Sequence, residues 1–340
     1  MTSRDIVVAA IRRTFGDRLD ELAERLEVID EGELPGAPFA EVPRRQELLL
    51  DGADGLRKII ERREDDLTYD ERVGLEAIIA LEGRPALFIR DGDFLRVPAE
   101  WQVLNGYREQ IRTSIARVGR VEVAGHPNYE WIGTGFLAGP DAVITNRHVA
   151  REFARSDGDG WRFEPDMTAR LDFNEEYGAL DPLEFELTGI VGIHERHDLA
   201  VLRIARSGGG NQALPEPLRV AAAAPGTVSD RQVYVIGYPA WDGRRNDPAY
   251  MRQIFGDIFD VKRLQPGQIT SWQDGADTFT HDCSTLGGNS GSPVFDLETH
   301  EVVGLHFGGR YLSGNNAVPL WRLTGDDLLR AGGVNFGMRG

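Results

Sequence analysis

Cysteine is nearly absent: Cys283 is the single thiol in 340 residues. No disulfide can form within the chain, which sets it apart from secreted scaffolds stapled by disulfides and fits a reducing compartment. Long apolar runs are also lacking, and no stretch approaches the roughly 18 apolar residues of a membrane span. Positive charge is scarce, with 38 Lys and Arg against 55 Asp and Glu and a formal charge of −17. Nucleic-acid binders advertise a basic face, so no nucleic-acid partner is expected. The first ten residues carry one arginine and a very short apolar run, and charge resumes at Arg12 and Arg13. That is not the pattern of a secretory signal. These absences point to a cytoplasmic protein.

What is present centres on Thr285–Val294, which crowds glycines around Ser290. Glycine permits tight turns and close backbone approach. Such a turn can aim backbone N–H groups at a developing oxyanion. A serine needs a base, and the base needs an orienting group. Upstream, Ala142–Val149 reads as an apolar strand breaking into a turn that carries His148. Asp198 stands at the mouth of a second apolar strand, His197–Ile204. The order His, Asp, Ser is one of the known triad orders.

The stretches ITNRHV, HDLAVLRI, GGNSGSPV and GLHFGG together resemble the chymotrypsin-like (trypsin-like) serine proteases, and within them the bacterial trypsin-like and glutamyl endopeptidase branch. The resemblance runs from about Val121 to Leu320. It implies an all-β fold of two six-stranded barrels and a closing C-terminal helix. It also implies Ser290 as nucleophile, His148 as general base and then acid, and Asp198 as its orienting partner. The backbone N–H groups of Gly288 and Ser290 would form the oxyanion hole. Leu305–Gly309, including Phe307 and Gly308, would be the edge that pairs with substrate backbone. Thr285 and His306 match the positions that bind the substrate carboxylate in glutamyl endopeptidases. Leu286 departs from that branch, which often has a second threonine there. That branch also uses a freed N-terminal amine in its pocket, and here other residues precede the protease region. No aspartate stands where trypsin would hold Lys or Arg, since Asp282 lies too far upstream. A catalytically idle peptide-binding scaffold is the alternative reading.

The rest of the chain is of another kind. Val7, Ile11, Phe15, Leu19, Leu22 and Leu26 recur at helical spacing and predict an amphipathic helix to about Val28. Glu33–Pro38 reads as a loop. A second helix is expected over Gln46–Arg63, dented by Gly52 and Gly55. Thr68 and Glu71 form a capping box that opens a third. Ala86–Ile89 and Phe94–Val97 read as a hairpin about Asp91-Gly92, and Trp101–Val118 as a further helix. Residues 1–118 are therefore expected to form a mostly helical domain, weakly resembling the effector-associated modules found ahead of proteases in bacterial conflict systems. It would recruit an adaptor or regulate, or else only stabilise the protease.

Residues 119–332 would be the protease domain: barrel one over about 119–206, barrel two over about 219–322, and a helix over about 320–331. Short strands separated by turn signals support barrels. Trp241–Lys262 is too long for a hairpin turn and reads as a surface excursion or a lid. A cleavage near Arg120-Val121 could release an activating N-terminus. His126 and His194 lack ligand-spaced partners, and Asp157–Gly160 lacks the remaining spacing of a calcium loop, so no metal or cofactor is expected. Cys283 reads as a buried thiol in a strand.

Overall fold

The computed structural model describes residues 3–26, 45–158, 160–209, 212–242, 248–310 and 314–337. The chain divides into two compact units. One comprises Met1–Leu87, Arg96–Gly106 and Asp242–Ile258, and the other Phe88–Leu95, Tyr107–Trp241 and Phe259–Gly340.

The first unit is helical: α1 (Ser3–Phe15), α2 (Leu19–Leu26), α3 (Arg45–Ile60) and α4 (Tyr69–Ile78). The apolar stripe read from the sequence becomes its core, with Val7, Ile11, Phe15, Leu22 and Leu26 buried beside Leu56, Leu75 and Ile78. Each such side chain contributes about 1.5–3 kcal/mol by leaving water. The single helix expected to Val28 instead breaks at Gly16, whose φ is +56°. Val28 and the Glu33–Pro38 loop lie outside the described residues. The capping box holds, with Glu71 N–H donating to Thr68 Oγ1 at 3.2 Å and Thr68 N–H to Glu71 Oε2 at 2.8 Å. The glycine dent in α3 has a packing cause. A Cβ on Gly74 of α4 would lie 2.3 Å from Gly52 N, so the two helices cross where neither has a side chain.

The second unit is two closed antiparallel six-stranded barrels, as the sequence led us to expect. A hairpin precedes them, β1 (Leu87–Arg90) and β2 (Asp93–Phe94). Then come β3 (Val118–Ala124), β4 (Trp131–Gly139), β5 (Ala142–Thr145), a separate pair β6 (Ala154–Ser156) and β7 (Trp161–Phe163), β8 (Thr168–Asp172), β9 (Glu184–Ile193) and β10 (Ala200–Ile204). Barrel one closes in the order β10-β5-β4-β3-β8-β9. Barrel two uses β11 (Gln232–Gly237), β12 (Arg263–Ser271), β13 (Phe279–His281), β14 (Pro293–Asp296), β15 (Val302–Arg310) and β16 (Gly314–Pro319). Its order is β11-β14-β15-β16-β13-β12, and β12 pairs back onto β11. Alternation sets the inside: in β9 Phe185 and Leu187 are buried while Glu186 and Thr188 face water.

Four expectations are corrected. The hairpin does not belong with the helices: β1 continues the barrel-two sheet beside β12, and Arg263 lies over the Phe88 ring at 3.3 Å. The helix read over Trp101–Val118 is broken at Gly106-Tyr107, its last part is Arg108–Ile115, and Val118 already starts β3. The closing helix spans only Asp327–Gly332, after a short 3-10 turn at Leu320–Leu323. The Trp241–Lys262 excursion is not merely surface. Its helix, Pro248–Phe255, packs with α4, and Met251 and Phe255 are buried in the helical unit. Among the described residues no helix is long and apolar enough to cross a membrane.

Candidate active site

His148 and Asp198 are brought together by two neighbouring strands of barrel one. Thr145, the last residue of β5, pairs with Ala200 at the start of β10. The chain then leaves β5 into a short helix, Arg147–Ala150, and reaches β10 through the turn ending at Asp198. His148 Nδ1 lies 2.6 Å from Asp198 Oδ2, and the His148 backbone N–H donates to Asp198 Oδ1 at 3.0 Å. Asn146 Nδ2 donates to the Asp198 carbonyl at 2.8 Å. The carboxylate is thus gripped at both oxygens. Burial acts to raise the Asp198 carboxyl. The hydrogen bond and charge of His148, its backbone N–H and the charge of Arg147 outweigh that and hold it below the ordinary carboxylate range. The imidazole itself is half exposed, so its other edge is open to a substrate.

Ser290 is tied to the same corner through Thr134 of β4. Thr134 N–H donates to the Ser290 carbonyl at 2.9 Å, and Thr134 Oγ1 donates to the Gly288 carbonyl at 2.8 Å. Thr145 Oγ1, three residues before His148, donates to the Thr134 carbonyl at 2.7 Å. The serine turn therefore hangs on the residues that lead into the histidine. Gly288 and Gly291 have φ of +82° and +93°. A Cβ on Gly291 would lie 2.0 Å from Thr134 O, and one on Gly288 2.4 Å from Tyr238 O and 2.6 Å from the Trp131 ring. Only glycine fits at either position. Among the described residues, neither the Gly288 nor the Ser290 N–H donates a hydrogen bond within the chain, and Ser290 Oγ has no partner. Both residues are partly exposed. Asn289 between them is fully buried and faces inward against Gly237.

Thr285 is partly exposed beside this turn, while His306 is 2% exposed. Gly291 N–H donates to the His306 carbonyl at 3.0 Å, and His306 N–H to the Ser292 carbonyl at 2.9 Å. This places His306 directly alongside the Ser290 turn. Burial, with neighbouring His281 and His148 adding to it, pushes the His306 imidazole well below the ordinary histidine range. Phe307 and Gly308 are partly exposed on β15, where a register irregularity against β16 falls between His306 and Gly308.

Two contributors carry almost no local sequence signal. Thr134 has the look of an ordinary residue in an apolar strand. His281 stands in another strand, and its Nε2 lies 3.1 Å from His306 Nδ1 in full burial. Burial lowers its pKa to about 3. A histidine two residues before the lone cysteine, on a strand of a barrel lined by His306, was the available signal.

Other sequence candidates lie elsewhere. His126 contacts Glu152, and Asp157 pairs with Arg162. Cys283 is buried, 1% exposed. Among the described residues one carboxylate group, Glu122, Asp172 and Glu184, has oxygens within 4.8 Å of one another. Arg120 and Arg170 already pair with Glu122, and Arg170 also with Glu184. Arg120-Val121 lies mid-strand in β3, bonded to β4 and β8, with Val121 fully buried, so a cut at that bond would require the strand to open first.

A probable serine protease of Lysobacter enzymogenes is 30% identical over 342 residues, covering 89% of this chain and 86% of that protein. A glutamyl endopeptidase of Staphylococcus aureus is 28% identical over 194 residues, covering 56% of this chain and 51% of its own length. A crystal structure of a serine endoprotease from Yersinia pestis superposes with a TM-score of 0.45 at 18% identity, covering 65% of this chain and 66% of that one. The trypsin-like peptidase domain family matches residues 133–305, a stretch that includes His148, Asp198 and Ser290. The chain belongs to the trypsin-like peptidase family.

Proposed function

We propose that the protein is a serine endopeptidase acting through an acyl-enzyme, with His148, Asp198 and Ser290 as its catalytic residues. The observation that carries this reading is the 2.6 Å His148–Asp198 contact beside a serine turn whose Gly288 and Ser290 N–H groups are uncommitted. Asp198 accepts from Nδ1 and fixes the tautomer that leaves Nε2 as the base. His148 takes the Ser290 proton as Oγ attacks the peptide carbonyl, and the two open N–H groups receive the oxyanion. Each such donor is worth about 3–4 kcal/mol of transition-state stabilisation. His148 then protonates the leaving amine, and water enters by the same route to release the acid. The chemistry draws on side chains, backbone and water.

The same reading includes a preference for Glu before the cut bond. With its proton on Nε2, His281 donates to His306 Nδ1, so His306 carries its own proton on Nε2. That N–H and the Thr285 hydroxyl are then the two donors for a carboxylate. Glutamyl endopeptidase relatives are consistent with it. We further read the helical unit as a regulatory or recruitment module in the cytoplasm, because it has its own core and takes in a segment from the β11–β12 connection. Activity on short peptides with silence toward casein would support that role, and rapid bulk digestion would contradict it.

The test is a diverse peptide library digested by the full-length protein and by Ser290→Ala. Cleavage after Glu by the first and none by the second is expected. No cleavage by either would favour the idle peptide-binding scaffold, and cleavage after Lys or Leu would remove the carboxylate pocket.

A further inference from the structure

His194 has no part in the chemistry above, yet its side chain holds the turn that ends at Asp198. Its Nδ1 accepts the backbone N–H groups of Arg196 and His197, both at 3.0 Å. Across the ring, Nε2 lies 3.1 Å from Asp326 Oδ2. Since Nδ1 is committed to two donors, the ring proton sits on Nε2 and points at that carboxylate. Asp326 is itself fixed: it is the N-cap of the Asp327–Gly332 helix, and its Oδ1 accepts from Leu328 and Leu329 N–H at 3.0 and 3.2 Å. The main chain of the turn is held too. His194 N–H donates to Leu199 O at 2.9 Å. The Arg147 guanidinium, beside His148, donates to the His194 and Glu195 carbonyls at 3.1 and 2.7 Å.

We propose that His194 is a positioning residue for the peptidase reaction: anchored on Asp326, its imidazole fixes the 195–197 turn and with it the Asp198 carboxylate against His148. The proposal rests on the peptidase reading above. Glu195 and Arg196 are exposed, so little apolar packing holds this turn, and the ring nitrogen supplies the closure instead. Asn or Asp can accept N–H groups two and three residues on in the same way. Those shorter side chains could not also reach Asp326. A helix cap on the C-terminal segment is thereby linked, through one ring, to the residue preceding Asp198. The molecule holds its own control. His126 Nδ1 accepts Asn128 and Tyr129 N–H at 3.2 and 3.0 Å, the same turn with no catalytic residue directly after it.

Two substitutions in the full-length protein separate the ring's two edges. His194→Gln keeps a donor toward Asp326 and loses the Nδ1 acceptor, whereas His194→Asn keeps the acceptor and loses the anchor. On a peptide that the wild type cuts, His194→Gln is expected to lower kcat by about 10- to 100-fold, the scale of a misplaced catalytic group, with KM nearly unchanged. His194→Asn is expected to recover most of kcat, and His126→Gln to leave both constants near wild type. Asp326→Asn keeps the helix cap but turns an amide toward Nε2, and a smaller kcat loss with KM unchanged is expected; it carries the test should His194→Gln not fold. Wild-type kcat in folded His194→Gln or in Asp326→Asn overturns the proposal, as does equal impairment of the Asn and Gln variants, or a kcat loss matched by the fraction unfolded. An active wild type with an unimpaired Gln variant sinks this proposal alone. A wild type that cuts no peptide sinks the peptidase reading and takes this one with it.

Discussion

The turn that ends at Asp198 and the turn that carries Ser290 are built in opposite ways. In the first, N–H and C=O groups are closed by neighbouring side chains, and Asp198 is gripped at both carboxylate oxygens. In the second, the carbonyls of Gly287 and Asn289 accept from Ala240 and Ser292 N–H and those of Gly288 and Ser290 from Thr134, while among the described residues the Gly288 and Ser290 N–H groups are left open. An orienting group works by having one position, so its surroundings are over-determined. A receiving site works by keeping its donors uncommitted until charge develops, so its surroundings fix only the far side of each peptide. The glycines with positive φ allow the second arrangement, and an imidazole, an amide and a guanidinium impose the first.

The largest effects should come from removing one group at each turn. Ser290→Ala is expected to cut kcat by about 10⁴-fold or more, with little change in Tm because Oγ makes no hydrogen bond among the described residues. Asp198→Asn should cost a comparable ~10⁴-fold through the wrong tautomer of His148. A much smaller loss would mean that the closed turn does not serve the open one. Gly288→Ala comes next. Its Cβ would meet Tyr238 O at 2.4 Å, so kcat should fall by about 10²–10³-fold and Tm should fall with it. Loss of kcat without loss of Tm would show that the turn relaxes easily.

Thr285→Val tests the pocket beside the open turn. The ratio of kcat/KM for Glu over Gln peptides is expected to drop about tenfold, by removal of one hydroxyl donor to a charged group. An unchanged ratio would assign the selectivity elsewhere.

The last effect is read in acid stability and not in activity. His281 has its pKa lowered from an ordinary 6.5 to about 3, so the unfolded chain binds its proton first as pH falls. Stability contributed by the neutral ring is fully present above about pH 6.5 and is lost progressively toward pH 3. The slope is about 1.4 kcal/mol per pH unit. His281→Asn should flatten urea-melt stability between pH 6 and 4 by about that slope. Identical pH dependence in both proteins would mean that His281 is not held neutral.

The strands and both barrels were readable because apolar alternation and glycine turns are local signals, and the four motifs fall at the strand ends they mark. The three residues proposed as catalytic could be singled out for the same reason: His148, Asp198 and Ser290 sit where strands break. What escaped depends on partners distant in sequence. Thr134 is an ordinary strand residue until Gly288, 154 positions later, is seen to accept its hydroxyl. His281 looks like a strand residue until His306 is beside it. Met251 and Phe255 have helical spacing in the sequence, but nothing local says that they are buried on a helix packed against α4. The helices expected from the start to about Val28 and over Trp101–Val118 break at Gly16 and Gly106, where a residue that a helix can tolerate is instead the break.

A serine-directed fluorophosphonate, followed by intact mass and peptide mapping on the wild type and on His148→Ala, probes the proposed relation of His148, Asp198 and Ser290. One adduct on Ser290 in the wild type and essentially none in His148→Ala is expected. An unlabelled wild type, or equal labelling without the imidazole, would show that the serine is not activated by His148.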